Sequence, residues 1–199
     1  MTDVDQVEHA VSQGVDAIGV ILHANSPRKI SLEQARLIRA SVPAFVSLVG
    51  VFVDADHAQI ERMIDLVGLD MIQLHGCETE SFALSLSRPY IKAVRAQSRA
   101  QVLKDCAMYP SASGLLLDPY VEGQHGGTGR PLEMSLWPND AQSDAFILAG
   151  GLSPQNVGER IRQLSPYAVD LNSGVENSPG RKDPDLVAQA VREVRNADS

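Results

Sequence analysis

The stretch Phe146-Ile147-Leu148-Ala149-Gly150-Gly151-Leu152 decides how this chain folds. An apolar run fit for a buried strand ends abruptly on two glycines. A second stretch, Val169-Asp170-Leu171-Asn172-Ser173-Gly174-Val175-Glu176, ends in the same way on small polar residues. A strand that stops like this leaves backbone N–H groups bare, where an anion can approach them. Two such loops in succession read as a phosphate cradle.

The same pattern of apolar, β-branched runs recurs upstream. Strands are predicted at 17–22, 46–53, 70–74, 90–94, 113–118, 145–149 and 168–171. Helical periods lie between them. Ser31 with Gln34 forms a capping box, and Ser153-Pro154 and Asp183-Pro184 put a cap residue before a proline at the first helical position. Regular strand–helix alternation implies a parallel sheet with helices outside it. Without a glycine-rich dinucleotide fingerprint, a (β/α)8 TIM barrel is favoured over a doubly wound sheet. In that barrel the loops after the last two strands are where phosphate sits. Residues 1–199 then form a single domain, with no linker or low-complexity tract.

The count is uneven: about seven strands against eight helices. The chain opens on a helix, with Thr2 placed to cap it and Val4, Val7, Ala10 and Val11 forming its apolar stripe. In a βα barrel each helix follows a strand, so strand 1 is expected before Met1. Without it, strands 17–22 and 168–171 are unpaired edges, which destabilise a barrel and invite association.

Composition narrows the function. A net charge of −8 argues against nucleic-acid binding, because no basic stripe is present to neutralise a phosphate backbone. No apolar run approaches the ~18 residues of a membrane span, and no signal peptide is visible. The two cysteines, Cys77 and Cys106, lack zinc-ligand spacing and do not make a disulfide framework, which points to a reducing cytoplasm.

Several polar residues fall at predicted strand ends. Asp118 closes Gly114-Leu115-Leu116-Leu117 and would face the pocket, where desolvation can suit a carboxyl to general acid work; the alternative is a turn aspartate before Pro119. Gly123 to Gly129 is a glycine-rich loop that could close over a ligand but lacks a P-loop lysine. His75, after Met71-Ile72-Gln73-Leu74, is a candidate pocket wall or a locally bonded loop residue. Arg28, in Ser26-Pro27-Arg28-Lys29, could fork a substrate carboxylate or stand as a surface cation. Gly150, Gly151, Ser173 and Gly174 are the candidate phosphate donors. Asp170 lies inside its predicted strand and reads as structural.

Together these segments resemble the phosphoribosylanthranilate isomerases of tryptophan biosynthesis. The resemblance rests on Gly14-Val-Asp-Ala-Ile-Gly-Val20, Ser26-Pro-Arg28, Val49-Gly-Val-Phe-Val53, Ile72-Gln-Leu-His-Gly76, Leu115-Leu-Leu-Asp118, Gly126-Gly-Thr-Gly129, Leu148-Ala-Gly-Gly-Leu152 and Val169 to Glu176, continued by Ser178-Pro-Gly180 and Lys182-Asp183. It covers essentially the whole chain, in order.

The resemblance implies an Amadori-type aldose–ketose isomerisation of N-(5-phosphoribosyl)anthranilate to 1-(2-carboxyphenylamino)-1-deoxyribulose 5-phosphate, without a metal or organic cofactor. A general acid protonates the ring oxygen and opens the furanose to a Schiff base. A general base then takes the C2′ proton, and the enolamine tautomerises to the ketone. By motif, Asp118 falls on the acid and Arg28 on the residue that holds the anthranilate carboxylate. Gln73 and His75 fall among the substrate-facing residues, and Gly150, Gly151, Ser173 and Gly174 on the phosphate site. Asn172 stands where a serine is common; asparagine also donates. The expected partner is a small phosphoribosyl compound, and the expected assembly a monomer or homodimer.

One departure is larger. Members of this family begin with a strand reading Lys-Ile-Cys-Gly, whose cysteine is the base. Met1-Thr2-Asp3 matches the residues just after that glycine, and neither Cys77 nor Cys106 matches the cysteine. Either Met1 is internal to a longer protein or the chain is truncated. As written it is expected to be an impaired isomerase; the alternative is a non-catalytic phosphosugar-binding barrel.

Overall fold

Among the described residues seven parallel strands form one sheet in the order β1-β2-β3-β4-β5-β6-β7. They are β1 (Ala17–His23), β2 (Ser47–Phe52), β3 (Met71–Leu74), β4 (Tyr90–Ala96), β5 (Gly114–Pro119), β6 (Phe146–Leu148) and β7 (Ala168–Val169). The computed structural model describes residues 1–119, 131–138 and 145–197. The glycine-rich loop 123–129 singled out above lies outside them.

Among the described residues seven α-helices lie between and around the strands: α1 (Val4–Gln13), α2 (Leu32–Ser41), α3 (His57–Met63), α4 (Glu80–Leu84), α5 (Arg99–Cys106), α6 (Val157–Leu164) and α7 (Pro184–Ala197). A π-turn over Ile64–Gly68 extends α3. Between β5 and β6, where a further helix is expected, the described residues carry only the 3-10 turn Met134–Leu136. This is a TIM barrel with seven strands in place.

Strand order follows chain order because each βα unit returns the chain beside the strand it left. Parallel strands are buried on both faces, so they read as unbroken apolar runs such as Leu115-Leu116-Leu117, all buried. Val94, Ala96, Leu115, Leu117 and Leu148 pack outward against Val102 of α5, Trp137 and Leu164 of α6. Ile18, Leu48, Ile72 and Leu74 belong to the larger cluster shared with α1, α2 and α3. Burying each such side chain contributes roughly 1.5–3 kcal/mol. The opposite face carries a thin layer of Ala93, Leu116 and Ala149 with Ile91 and Ile147. Two alanines in that layer leave room above it for polar groups.

The capping box of α2 forms as predicted, with Ser31 accepting from Gln34 N and Gln34 from Ser31 N. Asp183 caps α7 by accepting from Asp185 N and Leu186 N. Two starts differ from expectation. Asp3, not Thr2, caps α1; the Thr2 hydroxyl instead donates to the Gly180 carbonyl at 2.5 Å. The turn at Ser153-Pro154 runs on to Asn156 before α6 begins at Val157, because the Asn156 side chain bonds Ser153 N and the Gly151 carbonyl.

Among the described residues β1 pairs only with β2 as a strand, and β7 only with β6. The helical ring nevertheless closes over the gap, because α1 packs on both α7 and α2. After β7 the chain makes a 3-10 turn (Ser173–Val175) and a small antiparallel ribbon that the sequence did not announce, β8 (Glu176–Ser178) with β9 (Arg181–Lys182).

Candidate active site

The C-terminal ends of the strands bring three polar side chains together. Gln73 on β3 is buried, and its Nε2 lies 3.1 Å from His75 Nδ1. His75 Nε2 in turn lies 3.4 Å from Oδ2 of Asp118, near the end of β5. That last contact is too poorly aligned for a hydrogen bond, so among the described residues His75 Nε2 is a buried polar atom with no hydrogen-bond partner. Buried polar groups are nearly always satisfied, and an orphan facing a carboxylate marks a place for a ligand.

The backbone carrying His75 is held from behind. Lys92, buried on β4, donates to Glu78 Oε2 at 2.9 Å, to the Gly76 carbonyl at 2.6 Å and to the Leu74 carbonyl at 3.3 Å. Glu78 also accepts from Gly76 N and Asp54 N. Each charge in this buried pair is therefore hydrogen-bonded beyond its partner, as burial requires.

Asp170 follows β7. Its predicted place inside a strand is corrected: β7 stops at Val169, so Asp170 stands at the strand's end. Protein surrounds it while leaving its side chain open to water. Loss of bulk solvation raises its pKa; Lys182 opposes the rise, Asp118 adds to it and His75 opposes it.

The two loops singled out first meet here. Gly150 and Gly151 both adopt positive φ, 84° and 60°, which favours glycine at each. A Cβ on Gly174 would fall 1.9 Å from the Leu152 carbonyl oxygen, so the loops after β6 and β7 touch, backbone to backbone. The N–H groups of Gly150, Gly151, Ser173 and Gly174 donate to no described residue. Bare backbone donors in such loops can bond an anion.

Arg28 lies in the loop after β1, where its own N–H bonds Ser26 Oγ at 3.2 Å. Its guanidinium is engaged by a residue the sequence did not single out. Glu176 accepts from Nε at 2.9 and 3.1 Å and from Nη2 at 2.7 Å. Lys182 donates to Glu176 Oε1 at 2.8 Å, and to the side-chain and backbone oxygens of Asn172 at 2.6 and 2.8 Å. Asn172 thus serves Lys182 as an acceptor through its oxygens. Burial works against the Glu176 carboxylate, but hydrogen bonds and charges from Arg28 and Lys182 outweigh it and hold its pKa at about 2. The bond to Glu176 raises the Arg28 pKa further. Burial lowers that of Lys182 despite Glu176.

Neither cysteine belongs to this group. Cys77 is exposed beyond β3, with its N–H bonded to Asp54 Oδ1. Cys106 is buried on α5, where desolvation followed by Asp105 pushes its thiol up to about 12. A lone glutamate before a turn carried no signal for Glu176. Its partners come from the loop after β1 and from β9, so only the fold assembles them.

The sequence model of N-(5'phosphoribosyl)anthranilate (PRA) isomerase matches residues 1–193. The chain is 46% identical over 197 residues to the N-(5'-phosphoribosyl)anthranilate isomerase of Pseudomonas fluorescens SBW25, covering 99% of this chain and 93% of that one. The crystal structure of the phosphoribosyl anthranilate isomerase of Thermotoga maritima superposes with a TM-score of 0.90 at 32% identity, covering 98% and 96% of the two chains. A further isomerase structure, in complex with reduced 1-(o-carboxyphenylamino)-1-deoxyribulose 5-phosphate, gives 0.85 at 31% identity, covering 98% and 95%.

Proposed function

The chain belongs to the N-(5'-phosphoribosyl)anthranilate isomerase family of tryptophan biosynthesis, and on that premise we propose how its own residues divide the work. Asp118 is the general acid that protonates the furanose ring oxygen. Arg28 grips the anthranilate carboxylate. The N–H groups of Gly150, Gly151, Ser173 and Gly174, with the Ser173 hydroxyl, hold the 5′-phosphate. Gln73 and His75 line the sugar between them, and the unpartnered His75 Nε2 bonds a substrate oxygen.

The observation that carries this reading is the pair of bare backbone loops in contact at Gly174 and Leu152. Phosphate binding there fixes the sugar's orientation, so the ring oxygen is delivered to a carboxyl at the end of β5. The relative that binds the reduced product analogue supports a ligand with one phosphate and one carboxylate end. A reducing cytoplasm suits both the pathway and two unpaired cysteines.

Of the two cysteines in a polypeptide of these 199 residues, Cys77 is exposed and Cys106 is buried on α5, and the family resemblance assigns the base to a different cysteine, on a preceding strand. We therefore infer that such a polypeptide turns over slowly. The test follows product formation by this chain and by one extended with Lys-Ile-Cys-Gly before Met1. The extended chain is expected to be faster by about 10²–10⁴, the usual worth of a general base. Equal, high turnover by the shorter chain overturns the base assignment.

A further inference from the structure

We propose that Glu176 is a positioning residue that makes the site selective for a carboxylate on the aromatic ring, by presenting the open edge of Arg28 to it. The inference rests on the reading of Arg28 as the carboxylate grip.

An arginine has five N–H donors in a planar fork. Glu176 takes the side edge, using Nε and one hydrogen of Nη2. Among the described residues nothing takes the end edge formed by Nη1 and the second Nη2 hydrogen. That edge matches a second carboxylate in bidentate geometry. Both residues are held firmly, with Arg28 and Glu176 side chains 17% and 4% exposed. Glu176 thus fixes the plane of the guanidinium, and the direction of its end edge, before the ligand arrives.

A carboxylate beside a cationic grip also weakens its pull on an anion. Lys182 offsets this. Arg28, Glu176 and Lys182 together carry one net positive charge, and a bound carboxylate makes the group neutral. Lys182 further ties Glu176 to Asn172, the residue just before Ser173 and Gly174. The carboxylate and phosphate ends of the ligand site are thereby joined through one lysine.

The test measures binding of two probes to the 199-residue chain by calorimetry. One is reduced 1-(o-carboxyphenylamino)-1-deoxyribulose 5-phosphate, and the other is the same compound without the ring carboxylate. The unsubstituted chain is expected to prefer the carboxylated probe by at least about tenfold, the scale of a charged hydrogen-bonded pair. Glu176→Gln is expected to reduce that preference to about threefold or less while the second probe binds as before. Glu176→Asp, which keeps the charge on a shorter arm, is expected to fall between them.

A preference unchanged in Glu176→Gln overturns the proposal, as does an equal loss of both probes, which is what a purely structural role produces. If Glu176→Gln does not fold, Glu176→Asp decides: full retention of the preference overturns the proposal. No preference in the unsubstituted chain overturns the reading of Arg28 itself, and so separates that failure from failure of the role given to Glu176.

Discussion

His75 Nε2 stands 3.4 Å from Asp118 Oδ2 without bonding it, while Gln73 holds the other side of the same ring. The ring is fixed in place with its inner nitrogen unused. A buried ring nitrogen without a hydrogen bond costs free energy that a polar group bonded to it would offset.

The cost is measurable. Replacing both Gln73 and His75 by leucine removes the unbonded Nε2 together with the bonded pair, Gln73 Nε2 and His75 Nδ1. The double variant is expected to match the parent in stability or exceed it by about 1–2 kcal/mol in urea unfolding, since paired removal of polar groups is nearly neutral. It should bind the reduced product analogue at least about tenfold more weakly. A less stable variant with unchanged affinity contradicts the ligand-facing role of His75.

Asp118→Asn tests the acid. In the chain extended by Lys-Ile-Cys-Gly, kcat is expected to fall by about 10²–10⁴. Affinity for the reduced product should stay within about twofold, because the amide keeps the side chain's shape while losing the proton donor. Steady-state kinetics beside calorimetry separates the two effects.

Gly174→Ala tests the contact between the phosphate loops. The added carbon meets the Leu152 carbonyl at 1.9 Å, and backbone cannot yield cheaply. Destabilisation above about 2 kcal/mol is expected, together with loss of inorganic phosphate binding. Gly19→Ala is the control: a Cβ there meets nothing within 4 Å, so its stability should stay within about 0.5 kcal/mol of the parent.

Glu176 predicts an acid dependence. Its folded pKa of about 2 lies below its ordinary 4.5. A carboxylate depressed in this way contributes stability that is fully present above its ordinary pKa and is lost as pH falls towards the folded value. The stability difference between the parent and Glu176→Gln should therefore be constant from neutrality to about pH 5 and shrink between 4.5 and 2. Urea unfolding at a series of pH values reads it directly. A difference that persists unchanged at pH 2 contradicts the assignment.

The strands were legible because a parallel sheet buried on both faces writes itself as apolar runs, and all seven fall within a few residues of their predicted places. Gly150, Gly151 and Gly174 were legible because positive φ or a close backbone approach limits the choice of residue. Asp170 reads as internal to its strand for a local reason: the apolar Leu171 beyond it extends the pattern, whereas the register with β6 ends at Val169 and only one last bond, from Asp170 N to the Leu148 carbonyl, follows it. Thr2 looked like a cap because caps are local signals, and a bond to Gly180, far along the chain, is not. The same distance hid Glu176, whose partners lie in separate segments.

That distance sets an order of events during synthesis. Lys182 N bonds Gln6 Oε1, and the Thr2 hydroxyl bonds the Gly180 carbonyl, across about nine-tenths of the chain. Most of the sheet is built from neighbouring βα units and can form as each emerges from the ribosome. The grip on the carboxylate cannot, because Arg28 waits for Glu176 and Glu176 for Lys182. A nascent chain halted before that ribbon would hold nearly all of its sheet and still lack a finished binding site.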